Sequence, residues 1–286
     1  MTQAASDLVF LVINGLIWGL IVALIAIGLT LIFGVMGIVN MAHGDLYMVG
    51  AVVSYYVSKF LGNFWLSLLL GPLLALGLAV PLERVIVRPY AGNPSGSMIA
   101  TVGLSFIIQQ LALAIYGGVP NKIPDPMEAS ILLFGLSYPT YRIFVAMVSL
   151  TILGALWLFL YRTSLGILIR ATMQDREMAS AMGINTGRIL IITFAIGTVL
   201  AVLGGVLAAP IRQVFYLMGN DVVLLCFIVV IIGGLGSLRG TFITSLLLCS
   251  LEGLLSGFLP PVLARAVTFG LMVVILLWKP RGIYGD

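Results

Sequence analysis

The sequence predicts an all-α polytopic membrane protein of about eight or nine transmembrane helices, with one short polar helix outside the bilayer. Three observations carry this. Hydrophobic residues make up 61% of the 286 and charged residues only 8%, and the mean hydropathy is +1.20; about a quarter of a soluble domain is charged. Apolar runs of about 20 residues recur along the chain, each long enough to cross a hydrocarbon core of roughly 30 Å as a helix. Regular strand alternation is absent, which speaks against a membrane β-barrel. The helix remains, because it satisfies its own backbone within one segment.

Taken in order, the first span covers about Leu8–Phe33. No basic segment and cleavage site precede it, so it reads as a retained span rather than a signal peptide. The chain loosens at Gly34, Gly37, Asn40, His43, Gly44 and Asp45 before a second span to about Tyr56. A third, about Phe64–Val80, ends in Pro81, Glu83 and Arg84, with Arg88-Pro89 beyond. The turn-rich Tyr90–Ser97 leads to a fourth, which ends at Gly117-Gly118. Val119–Tyr138 is a proline-punctuated loop, and the fifth span is about Tyr141–Tyr161. Four more follow at about Ile189–Ala209, Val222–Gly236, Thr241–Phe258 and Leu263–Trp278, the last closed by Lys279-Pro280-Arg281. That makes nine crossings, or eight if Gly34–Asp45 makes the second element re-entrant. Residues 1–286 then form a single transmembrane domain.

Basic residues orient it. Arg84, Arg88, Arg162, Arg170, Arg176, Arg188, Arg239, Lys279 and Arg281 fall on one side; Lys59, Lys122, Arg142, Arg212 and Arg265 fall on the other. The richer side is expected in the cytoplasm, with the C-terminus, and the N-terminus outside.

The stretch 162–188 is a polar island. It holds Arg162, Arg170, Asp175, Arg176, Glu177 and Arg188, a quarter of the 24 charged residues. So long a charged loop points to something outside the bilayer that grips it. Within it, Asp175 is placed to cap a helix start, Glu177, Met178, Ala179, Ala181 and Met182 favour helix, and Gly183 suits a left-handed stop. A helix of about two turns is marginal alone in water, so a partner groove would supply the missing burial. The bland alternative is an interfacial helix on the headgroups, but its charges are mixed in sign and no basic face is present.

Other classes are excluded or weakened. The pI near 9.2 does not reflect a nucleic-acid footprint, because the basic residues sit at span ends. His43 is the sole histidine, so a multi-histidine metal site is excluded. Cys226 and Cys249 lie in apolar runs and read as packing residues. The three lysines, Lys59, Lys122 and Lys279, none after a glycine, rule out a Walker A loop. No paired carboxylates or Ser/Lys dyad suggest a catalytic site.

Polar groups inside the spans are expensive and are candidates for a solute path: Asn40, Gln109, Gln110 and Glu252. For Glu252, placed in mid-span, a helix-packing hydrogen bond is the alternative. His43 and Asp45, with Asn40, read as bonding the loosened backbone between two spans.

The order Glu177-x-Ala179-x-x-x-Gly183 resembles the cytoplasmic EAA signature of ABC importer permeases, with Met178 in place of the triplet's second residue. The resemblance widens in chain order. Gly28-Leu-Thr30-Leu-Ile-Phe33-Gly34, then Asn40-Met-Ala42-His43-Gly44-Asp45, is similar to the H-type subunit of branched-chain amino-acid permeases. Glu83-Arg84 with Arg88-Pro89, Thr101-Val-Gly103-Leu-Ser105, Arg162-Thr163-x-x-Gly166 with Arg170-Ala171, and Ile232-Gly233-Gly234-Leu-Gly236-Ser237 fit the same family.

The resemblance implies a transport subunit and not an enzyme. Asp175, Arg176, Glu177, Ala179 and Gly183 would form the coupling helix. The implied partners are a second homologous permease, two cytoplasmic ABC ATPases that hold the ATP and magnesium, and a periplasmic solute-binding protein, in a bacterial inner membrane. This chain itself would bind no cofactor, and its other contacts would be with membrane lipid, not nucleic acid. The cargo would be a branched-chain or related small amino acid, or alternatively urea, an amide or another small organic solute. An ion-coupled secondary transporter, with Glu252 or Asp45 as ion site, is the rival from another class.

Overall fold

The computed structural model describes residues 3–133, 136–280 and 282–284. Arg281, counted above on the basic side, lies outside them. Eleven α-helices account for most of the described residues. Helix α1 (Gln3–Met36) is followed by α2 (His43–Leu61) and α3 (Ser67–Leu82), then α4 (Pro94–Tyr116) and α5 (Thr140–Arg162). Two short helices, α6 (Ser164–Gln174) and α7 (Arg176–Ala181), fill the polar island. The rest are α8 (Thr186–Ala208), α9 (Met218–Gly233), α10 (Leu238–Leu255) and α11 (Pro261–Trp278).

Seven of the described helical stretches are long and apolar enough to cross a membrane, and α9, at 16 residues, is a shorter apolar helix. Adding α2 reproduces the nine expected segments, with shifted boundaries. The second helix begins earlier than expected: His43, Gly44 and Asp45 form its first turn, and only residues 37–42 are irregular. Its 19 residues carry His43, Asp45 and Lys59, so it falls short of an apolar span by composition. The loop after α4 holds an antiparallel hairpin, β1 (Ser130–Leu133) paired with β2 (Leu136–Pro139). It was not legible beforehand, because a four-residue apolar run has no readable period.

Helix α1 is the central pillar. Its apolar stretch is 83% buried, against 67% for α8 and 11% for α11. Small residues let the neighbours close in, as between helices in lipid. Gly28 of α1 meets Gly197 of α8, and Gly15 meets the Cys249–Ser250 backbone of α10. Gly44 of α2 faces Gly219 of α9 so closely that a Cβ on either would overlap the other's carbonyl oxygen.

A few of the basic residues can be placed against α1. Arg212 lies 3.7 Å over the ring of Trp18, midway along it, and Tyr138 and Arg142 both donate to Asn14. Beyond its end, Arg170 stacks 4.5 Å over Tyr161, with Arg239 at 6.0 Å from the same ring.

Candidate functional site

The break between α1 and α2 is repaired by side chains of α4. Ser97 Oγ accepts from the Val39 amide at 3.2 Å, and Thr101 Oγ1 accepts from the Met41 amide at 3.0 Å. The Gly92 amide donates to the Met36 carbonyl at 2.9 Å. Irregular backbone inside a membrane protein needs such partners. His43 Nε2 donates to the Ile25 carbonyl at 3.0 Å, which leaves Nδ1 as a buried acceptor with no donor. Asn40 Oδ1 is likewise buried and unpartnered.

Asp45 is carried inward on the first turn of α2. There Gln109 of α4 donates Nε2 to Asp45 Oδ1 at 3.0 Å, with Asn220 Oδ1 at 2.9 Å and Ser105 Oγ at 3.0 Å. Three acceptors thus share two amide protons. Among the sequence candidates, Gln109 is therefore a buried member of a network joining α2, α4 and α9, whereas Gln110 lies on the exposed face of α4. Asn220 was not singled out in the sequence, because its partner lies 111 residues away; Ser105, one turn before Gln109, was named only within the Thr101–Ser105 resemblance. Asn40 sits in the 37–42 break and is not hydrogen-bonded to this network.

Glu252 is not in mid-span. Helix α10 ends at Leu255, so Glu252 stands in its last turn, 3.6 Å from Arg265 Nε of α11, and Arg265 also reaches Asp221 at 3.3 Å. Its other carboxylate oxygen is buried without a partner.

At the opposite end the polar island folds as two helices. Thr163 caps α6 by accepting from the Gly166 amide at 3.1 Å, and Asp175 caps α7 by accepting from the Met178 amide at 2.9 Å. Gly183 stands at φ 82°, with the Ile184 amide returning to the Ala179 carbonyl at 3.1 Å, a left-handed stop. Only Ala179 of α7 is buried; Arg176 is half-buried, and Asp175, Glu177, Met178 and Met182 are exposed. The knob therefore presents two methionines beside a carboxylate. Flexible methionines are suited to a partner's surface.

Three contacts tie the polar island to the bundle. Met173 of α6 fills the space over Gly34 of α1. Arg170 Nε donates to the Leu160 carbonyl of α5 at 3.1 Å. Just past α3, Arg88 pairs with buried Glu83 at 2.9 Å and donates to the Gly187 carbonyl of α8 at 2.8 Å.

Known proteins share this sequence and this fold. Residues 11–276 match the family described as "Branched-chain amino acid transport system / permease component". The chain is 31% identical over 288 residues to the high-affinity branched-chain amino acid transport system permease protein LivH of Salmonella typhimurium, covering 95% of this chain and 94% of that one. It is 31% identical over 296 residues to BraD, a permease protein of the same description from Pseudomonas aeruginosa, covering 96% and 94%. LivM of Escherichia coli is 27% identical, over 92% of this chain and 68% of its own length. In fold, the chain resembles PsaBC from Streptococcus pneumoniae in complex with Fab, at a TM-score of 0.53 and 17% identity, covering 95% and 92% of the two chains.

Proposed function

Because the chain belongs to the family of branched-chain amino acid transport permease components, we propose that it is the membrane subunit of an ATP-driven importer for branched-chain or related small amino acids. It is a multi-pass membrane protein and a transport component, not an enzyme. Residues 1–286 act as one permease domain. The subunit pairs with a second, homologous permease, and the likeness to both LivH and LivM supports such a pair. Two cytoplasmic ATPases supply ATP and magnesium, and a receptor outside a bacterial inner membrane delivers the solute. The N-terminus lies outside and the C-terminus in the cytoplasm. Asn40, Gln109, Gln110 and Glu252 are carried forward as candidate path residues, Gln109 with its Asp45–Asn220 network foremost.

One observation carries the coupling part of this reading: a capped six-residue helix of which Ala179 is the one buried residue. A free helix of that length is unstable in water, and a cleft in an ATPase would cover its methionines. Asp175, Arg176, Glu177, Ala179 and Gly183 are the coupling residues. When the ATPases close on nucleotide, motion of α7 passes through α6 to α1 by the Met173–Gly34 contact. It passes to α5 through Arg170. The ATPases' differing contacts with two permease states supply the bias between them.

The test is leucine uptake into proteoliposomes by the assembled complex with its receptor. Uptake should require ATP inside the compartment that holds the ATPases, and survive an ionophore. Uptake indifferent to ATP and abolished by the ionophore would overturn the reading.

A further inference from the structure

Beside Tyr47 of α2, between the residues just past α8 and the first turns of α9, lies a cavity of about 280 Å³. It joins opposite charges, Arg212 and Asp221, to an apolar wall of Phe215, Met218 and Val222. None of these residues belongs to the coupling knob or the Gln109 network. The volume falls just below the roughly 300–1,000 Å³ of drug-sized ligand pockets, so it suits one small metabolite and not a peptide.

Its polar groups are incompletely matched by the protein. Arg212 lies 3.7 Å over the Trp18 ring, and among the described residues no carboxylate stands within ion-pair distance of it. Its planar fork is suited to a carboxylate, which it can bind through two parallel hydrogen bonds. Tyr47 is fully buried and forms part of the cavity wall. Asp221 reaches Arg265 at 3.3 Å, but Arg265 also has Glu252 at 3.6 Å. Asp221 can therefore turn to an incoming cation while Glu252 keeps Arg265.

We propose that this cavity binds a free zwitterionic aliphatic amino acid. Its carboxylate meets Arg212, its ammonium meets Asp221, and its hydrocarbon side chain rests on Phe215, Met218 and Val222. The amino-acid class rests on the import reading above. Under that reading the cavity is the receiving site on the receptor's side, filled before the solute reaches the Gln109 network.

The experiment uses the assembled complex without receptor, carrying Gln213→Cys. Gln213 lines the cavity and is exposed, while Cys226 and Cys249 are buried. Millimolar leucine should slow maleimide labelling about tenfold, as a ligand at roughly ten times its Kd would. Leucinamide lacks the carboxylate and 4-methylpentanoate lacks the ammonium, so neither should protect. Adding Arg212→Gln should leave the labelling rate intact and remove the protection. Labelling unaffected by leucine, or equal protection by leucinamide, overturns the site. ATP-driven leucine uptake without protection overturns the site alone; protection without ATP-driven uptake overturns the import reading alone.

Discussion

Glu83 is fully buried, with Arg88 at 2.9 Å as its cation. Removing one partner of a buried pair strands the other and costs about 3–5 kcal/mol, while replacing both is far milder. Arg88→Ala is therefore expected to lower the thermal midpoint of the purified complex sharply, and Glu83→Gln with Arg88→Ala to restore most of the loss. A double variant that melts no higher than the single one would refute the pair's role. Both charges were visible in the sequence just past the third span. Their meeting was not, because it depends on a five-residue π-turn, Glu83–Val87, placed after Pro81. Gln109 and Gln110 teach a similar lesson. Adjacent residues stand about 100° apart on a helix, so sequence alone says that they face different ways but not which faces in. Glu252 looked like a mid-span carboxylate only because the apolar composition continues past Leu255, where α10 ends.

At the scale of elements, α7 was legible because caps are local. Asp175 and Gly183 do what their chemistry dictates, three residues or fewer from the groups they serve. Gly183 needs φ 82°, which proline cannot adopt because its ring fixes φ near −65°. Gly183→Pro and the charge reversal Glu177→Lys are each expected to abolish ATP-dependent uptake while the protein still inserts and is recovered at normal yield. Undiminished uptake in either would remove the knob from the coupling scheme. Asp175→Ala is milder, since loss of such a cap costs about 1 kcal/mol; reduced rather than absent uptake should result. Helix α6 and the β1–β2 hairpin were not legible. The first mixes charge and apolar residues over 11 positions, and the second pairs strands of four. Helix α2 was misplaced at its start because His43, Gly44 and Asp45 look like loop residues, and only tertiary bonds from α4 and α1 let the helix begin there.

For the whole molecule, the number and order of membrane elements could be read from hydropathy, since lipid demands long apolar helices. How deeply each helix is buried could not, because α5 and α8 are equally long and equally apolar, yet α8 is 67% buried and α5 22%. The function proposed here requires that the chain alone, in liposomes with leucine and an imposed proton or sodium gradient, accumulates nothing. Accumulation by the isolated chain would mean that it carries its own energy coupling. The position of α1 has a further consequence for how the protein is made. Helix α1 is made before the helices that pack against it, and its glycine-lined grooves receive α8 and α10 only late in translation. Until then it must wait in bare lipid, which its uncharged span tolerates, so the bundle closes around a helix already in place.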